Sequence, residues 1–148
     1  MLAALQAQVA GWLSASQPFA GPPEIPVVTE RQGNWLNRME RALVEGGVGL
    51  SLVVTVAKLA KASTGHLHFA PSLAIHVWEN VLLNDAPGGA QIPAADAVLA
   101  VLAILSGREP DGGLSPLVLD DVTPAENTKT GIVMYEIVMK TAITLRRI

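Results

Sequence analysis

The chain has 148 residues, half of them hydrophobic and only 16% charged, with a mean hydropathy of +0.39 and a formal net charge of −3. That length fits one domain burying roughly 68–70% of its unfolded surface, and the absence of cysteine excludes disulfide staples and cysteine-ligated metals. The negative balance, with no basic cluster beyond Arg146-Arg147, argues against nucleic acid as a main partner.

Leu2, Leu5, Val9, Trp12 and Leu13 recur at helical spacing, with Gln6 and Gln8 elsewhere on the wheel, which predicts an amphipathic helix over 2–15. Its polar face carries no charge, an indication that this face is covered as well. The first charged side chain is Glu24, so the apolar N-terminus lacks the basic region of a signal peptide, and export is not expected. Four prolines and a glycine make 16–26 a loop. Pro26-Val27-Val28 is a candidate short edge strand, the position to which proline confines it.

A second helix is predicted over about 30–45, with Trp35, Leu36, Met39 and Leu43 in one stripe. Asn34 or Thr29 is its candidate cap, Gly46-Gly47 its stop, and its charges read as a solvated face. Residues 50–61 then alternate Leu50, Leu52, Val54 and Val56 against Ser51, Val53, Thr55 and Ala57. After the turn at 62–65, Leu67, Phe69, Leu73, Ile75 and Val77 alternate with His68, Ala70, Ser72, Ala74, His76 and Trp78. These two runs predict a hairpin over 50–79, with Pro71 marking a bulge or an edge.

Turn chemistry fills 84–89, and a helix follows over 93–106, with Pro93 in its first turn and Gly107 as its stop. The helix is apolar on every side, which predicts burial on more than one side. Its longest unbroken apolar run, Ala97 to Leu105, is about half of the roughly 20 residues a membrane span needs, so no membrane partner is expected. Strands are expected over about 116–121 and 131–146, the last with Val133, Tyr135, Ile137 and Met139 on one face. The order ααββαββ predicts a single α+β domain: a mainly antiparallel four-stranded sheet with helices on one face.

No catalytic, cofactor-binding or metal-binding residue emerges, and neither an enzyme nor a cofactor is expected. His66 and His68 stand two apart on a strand, a spacing that presents two imidazoles to one metal, but two ligands do not make a site and His76 is too far away. They read as decoration of a hairpin tip. Glu79 has no second carboxylate or nucleophile to work with. It reads as a structural residue tying down the 84–89 loop. Asp120, Asp121 and Glu126 read as loop-solvating charges, and Arg146-Arg147 as a solubilising end. Gly88-Gly89 and Gly112-Gly113 lack the Lys-Ser/Thr of a phosphate loop.

The stretch Ser72 to Asn84, with Val77, Glu79, Asn80 and Asn84 as its most specific positions, resembles a group of small bacteriophage tail proteins. In that group such a strand precedes an alanine-rich helix and a closing strand, a layout that 94–105 and 131–145 match. The resemblance, to the tail-completion or tail-terminator class, implies a non-enzymatic subunit of a homo-oligomeric, commonly hexameric ring at the tail or head–tail junction. It implies other tail or connector proteins as partners, with assembly in the host cytoplasm and a final place in the virion. Ring contacts would account for the apolar excess. The hairpin 50–79 and the loops at 84–92 and 123–130 are the expected contact surfaces. Two other readings remain open. One is a small ligand-binding or regulatory domain, dimeric through helix 93–106; the other is a metal-dependent enzyme using His66 and His68.

Overall fold

The computed structural model describes residues 2–30, 47–63, 67–125 and 131–145. The predicted helix at about 30–45 falls almost wholly outside them, as do His66 and most of the 123–130 loop. The elements are α1 (Leu2–Ala15), β1 (Val27–Thr29), β2 (Leu50–Ser63), β3 (Leu67–Asn80), α2 (Val81–Asp85), α3 (Ala94–Leu105), β4 (Val118–Pro124), β5 (Ile132–Lys140) and β6 (Ile143–Leu145).

The sheet is larger than expected, and it is mixed. Five strands lie side by side in the order β1-β2-β3-β5-β4, and the short β6 pairs with β3 beyond the end of β5. The predicted hairpin is present, with Leu52 opposite Val77 and Val54 opposite Ile75. β5 and β4 extend it antiparallel. β1, the candidate edge strand, runs parallel to β2, with Val27 opposite Leu52. A parallel neighbour needs a long crossover rather than a tight turn, and 20 residues, 30–49, separate β1 from β2.

Alternation along the strands sets the core. Leu52, Val54, Leu73, Ile75, Val77, Ile137 and Met139 share one face and are fully buried. Leu5, Val9 and Leu13 of α1 and Ala97, Val101 and Leu105 of α3 join the same cluster. Apolar burial of this kind, worth roughly 25 cal/mol per Å², is the main force holding the layers together. The opposite face is also withdrawn from water: Val53 is inaccessible, Ala74 is buried, and Trp78 packs with Val53 and Met134.

The polar residues of α1 behave differently from one another. Gln6 turns inward, and its Nε2 donates to the carbonyls of Glu30 (2.9 Å) and Val54 (3.1 Å), where β1 leaves β2. Gln8 accepts from Asp111 N (2.9 Å), and the Arg108 guanidinium stands 5.1 Å over the Trp12 ring. α3 is not buried all round, because it forms an outer layer on the sheet. Its outward Leu99 is 65% exposed.

Two predicted strands shift for one reason, which is distant backbone pairing. The closing strand divides at Thr141-Ala142, where Ala142 N donates to Ser115 Oγ (2.8 Å), Ser115 N donates to Ala142 O (3.0 Å) and the Thr141 hydroxyl donates to Ser115 O. β4 begins at Val118 and not at 116, because Leu117 exchanges hydrogen bonds with Arg108 and Gly107 after α3. Pro71 causes no bulge in its own strand. It faces Leu59 across the hairpin and sits between the stretches of β3 that pair with β5 and β6, while the register shifts fall in β2.

Candidate functional site

Glu79, the last residue but one of β3, stands on the parity of Leu73, Ile75 and Val77, which carries its side chain to the core face at 5% exposure. Its carboxyl group links three pieces of chain. Oε1 accepts from Ala94 N at the start of α3 (2.9 Å), and Oε2 accepts from the Asn84 side-chain amide (2.5 Å). Asn84 is itself inaccessible to solvent. Its amide also donates to Ile92 O (2.7 Å), and its Oδ1 accepts from Ile92 N (3.3 Å). Asn80 begins α2 by accepting from Leu83 N (3.3 Å). Three backbone hydrogen bonds close the same end of the sheet: Asn80 N to Gly49 O, Ala90 N to Val48 O and Gln91 N to Asn84 O.

This is a clasp. The helix N-terminus has orphan N–H groups, and Pro93 before it supplies no side-chain cap. Glu79 takes one of those donors from the neighbouring strand. Asn84 then holds the 86–93 loop against the sheet end, so the loop's outer surface is presented in one conformation. Beside it, Leu82 on α2 is 81% exposed. The sequence placed Glu79 in this tying role but read Asn84 as a turn residue. The signal for Glu79 was available: a lone carboxyl on the apolar parity of a strand must find buried donors.

A second polar group lies across the middle of the other face. The Thr55 hydroxyl is 3.2 Å from His76 Nε2, and Glu136 Oε2 is 3.9 Å from His76 Nδ1. Hydroxyl, imidazole and carboxylate in that order have the composition of a nucleophile, a base and an orienting acid. The surroundings favour a cross-strand polar ladder instead. Thr55 is 7% exposed and its hydroxyl also donates to Ala74 O (3.4 Å), while acyl transfer needs an open approach and donors aimed at an oxyanion.

Burial of the His76 imidazole pushes its pKa below the ordinary 6.5, and the nearby Glu136 carboxylate offsets this only in part. In the window between the folded value and 6.5 the unfolded chain therefore holds more protons than the folded one. Stability from this residue is present above pH 6.5 and is lost as pH falls through the window. Urea unfolding across that range should show a shallower pH slope for His76→Gln than for the parent chain. Equal slopes would remove His76 as the cause.

Of the other two histidine candidates, His66 lies outside the described residues and His68 stands eight residues back along the strand from His76. His68 pairs in register with Ser63 and Thr144, towards the hairpin tip. Among the described residues, no three histidine, aspartate or glutamate side chains stand where one metal ion could hold them. Asp120 forms an ion pair with Lys140 (2.9 Å), and Asp121 accepts from Val122 N (2.9 Å) on β4, so both belong to an edge strand and not to a loop. No described helix is long and apolar enough to cross a membrane.

The fold has solved counterparts. A chain from the virion of a native gene transfer agent particle matches with a TM-score of 0.63 at 19% identity, covering 97% of this chain and 96% of that one. A second solved chain matches with a TM-score of 0.54 at 16% identity, over 100% of this chain and 98% of its own. No protein-family model and no curated relative matches. The shared property is an α+β architecture over the whole length of each chain.

Proposed function

We propose that this chain is a structural, non-enzymatic subunit of a phage-like particle. In this reading it is of the tail-completion or tail-terminator type, and forms a ring with its own copies at the tail or head–tail junction. The observation that carries this is the end-to-end correspondence with a virion chain, over 97% of this chain and 96% of that one. The stretch Val77–Asn84, on which the resemblance to tail proteins rests, is the segment that builds the clasp. A particle subunit works by presenting fixed surfaces to its neighbours, and a buried polar clasp at the base of a loop serves that purpose. The protein would assemble in the host cytoplasm with connector and tail proteins and remain in the virion.

Deleting the coding sequence from the genome that carries it tests this directly. Electron microscopy should then show unjoined heads and tails, or tails of irregular length, with normal particles returning when the chain is supplied in trans. Normal particles without the chain would sink the reading. The exposed Leu99 on α3 sustains one alternative, a dimeric ligand-binding or regulatory domain. A stable dimer lost on Leu99→Asp, measured by light scattering, would favour it.

A further inference from the structure

The hairpin outreaches the helices that cover it. β2 and β3 have 14 residues each, about 46 Å at 3.3 Å per residue, whereas α1 and α3, with 14 and 12, span about 21 Å and 18 Å. α3 starts level with Glu79, so it ends at about the level of Leu73, where Trp12 of α1 stands beneath Arg108. Burial falls away at the same level: Val54 and Leu73 are inaccessible, Val56 is half-buried and Ala57 is exposed. Past it the backbone continues as a three-stranded arm, made of 58–63 of β2, 67–71 of β3 and the short β6.

Register makes this arm amphipathic. Alternation along β3 carries the core parity of Ile75 and Leu73 out to Pro71, Phe69 and Leu67. Cross-strand partners share a face, and Leu59 pairs with Pro71, Ile143 with Phe69 and Leu145 with Leu67. The core-parity face is therefore apolar except for Lys61, while Lys58, Ser63, His68 and Thr144 belong to the other. No described helix extends over the apolar face. The 126–130 connection joins β4 to β5 at the opposite end of the sheet. The steps from β1 to β2 and from β3 to β4 go the same way across the sheet, but the two strand pairs run in opposite directions. Right-handed crossovers therefore assign α3 and the 30–49 connection to opposite faces, and α3 holds the core face.

The chain carries one further surface of the same kind. α1 and α3 lie side by side over the sheet and between them carry a single charge, Asp96. The outer side of this layer is exposed, with Ala3, Ala7 and Gly11 on α1 and Leu99 and Ala103 on α3. Two helices about 10 Å wide make the layer roughly 20 Å across. The arm is about 17 Å by 14 Å, so it fits within that width.

We propose that the apolar face of the arm of one copy lies on the α1–α3 layer of the next. The two surfaces lie on different parts of the chain, so each copy uses its arm on one neighbour and offers its helices to another. That is the heterologous arrangement that closes into a ring. Alanine and glycine along α1 let a sheet approach closely, with Leu99 left as the projecting side chain. A charged partner would meet one carboxylate and nothing else to pair with on this layer. The same chain supplies both apolar halves in similar size, which selects a second copy as the occupant. The proposal rests on the ring reading above and gives it a contact, but concerns only copies of this chain and is tested on the purified protein.

The test places one variant on each surface, read by light scattering during size-exclusion chromatography with circular dichroism as the check on folding. Gly11→Arg fills space that is open in the single subunit, where nothing lies within 4 Å of an added carbon. Phe69→Asp puts a charge on the arm, and Leu145→Asp replaces it if that variant folds poorly. Each variant alone should be monomeric. A one-to-one mixture should give a complex of two chains and nothing larger, because the Gly11→Arg chain keeps its arm and the Phe69→Asp chain keeps its helix layer. Folded variants that stay monomeric when mixed would overturn the arrangement, since like surfaces would then be meeting each other. A folded Gly11→Arg chain that keeps the parent's oligomer would overturn it by itself. So would a parent chain monomeric at every concentration, which would leave the virion-subunit reading to the gene-deletion test.

Discussion

Asn84→Ala is expected to destabilise the fold by roughly 3–4 kcal/mol, a large share of the 5–15 kcal/mol that holds a domain of this size together. The side chain has no contact with water, and it makes three hydrogen bonds at the point where strand end, loop and helix start meet. Truncation leaves Glu79 Oε2 without its donor and Ile92 without both a donor and an acceptor, and each buried orphan costs about 1–3 kcal/mol. The partial exposure of Ile92 moderates the sum, since water can reach part of that gap. Asn84→Asp should do no better despite its shape, because it turns an acceptor towards two other acceptors. Thermal unfolding is the measurement, with a fall of about 10 °C expected for the alanine variant.

A double-mutant cycle with Glu79→Ala separates the clasp from simple loss of packing. The two side chains share a hydrogen bond of 2.5 Å, so their effects should fall short of additivity by about 1–3 kcal/mol. Additive losses would mean that Glu79 acts on Ala94 and Asn84 on Ile92 as independent pairs. The cycle also bears on function. If the clasp fixes the surface around Leu82 for a neighbour, variants that remain folded at low temperature should still lose attachment to the particle.

How far this end of the molecule was legible depends on how local its causes are. The hairpin could be read because alternation over Leu50–Val56 and Leu73–Val77 is a local property of the chain. α3 could be read because Pro93 and Gly107 bracket an apolar run. The break at Thr141-Ala142 could not, since its cause is a serine 26 residues away. The same holds for β1, whose parallel partner lies across a crossover, and for Gln6, whose acceptors are 24 and 48 residues distant. The clasp was half legible. Glu79 betrayed itself by parity, whereas Asn84 sits in a segment whose composition is that of any turn. The Thr55–His76–Glu136 ladder depends on the register of three strands, which no single strand encodes.

The second large effect lies in the backbone against which the clasp closes. Gly49→Ala and Gly89→Ala should each cost roughly 3 kcal/mol or more, from overpacking against main chain that cannot yield. A Cβ on Gly49 would stand 2.6 Å from Asn84 Cα and 2.7 Å from Leu83 C, and its φ of +81° adds strain for any L side chain. At Gly89 the obstruction is steric alone: the added carbon would press on the carbonyl oxygens of Leu83 and Asn84 and lie 2.8 Å from Asn84 C. Both glycines thus press against the same two residues, so either substitution must displace the segment that Asn84 anchors. Gly88→Ala is the control. Its φ is +84° but nothing lies within 4 Å of the new carbon, so only conformational strain of about 1 kcal/mol applies. Urea unfolding of the three variants gives the comparison. Equal losses at 88, 89 and 49 would show that the loop's conformation dominates, whereas losses confined to 49 and 89 would locate the constraint in close contact with the Asn84 backbone.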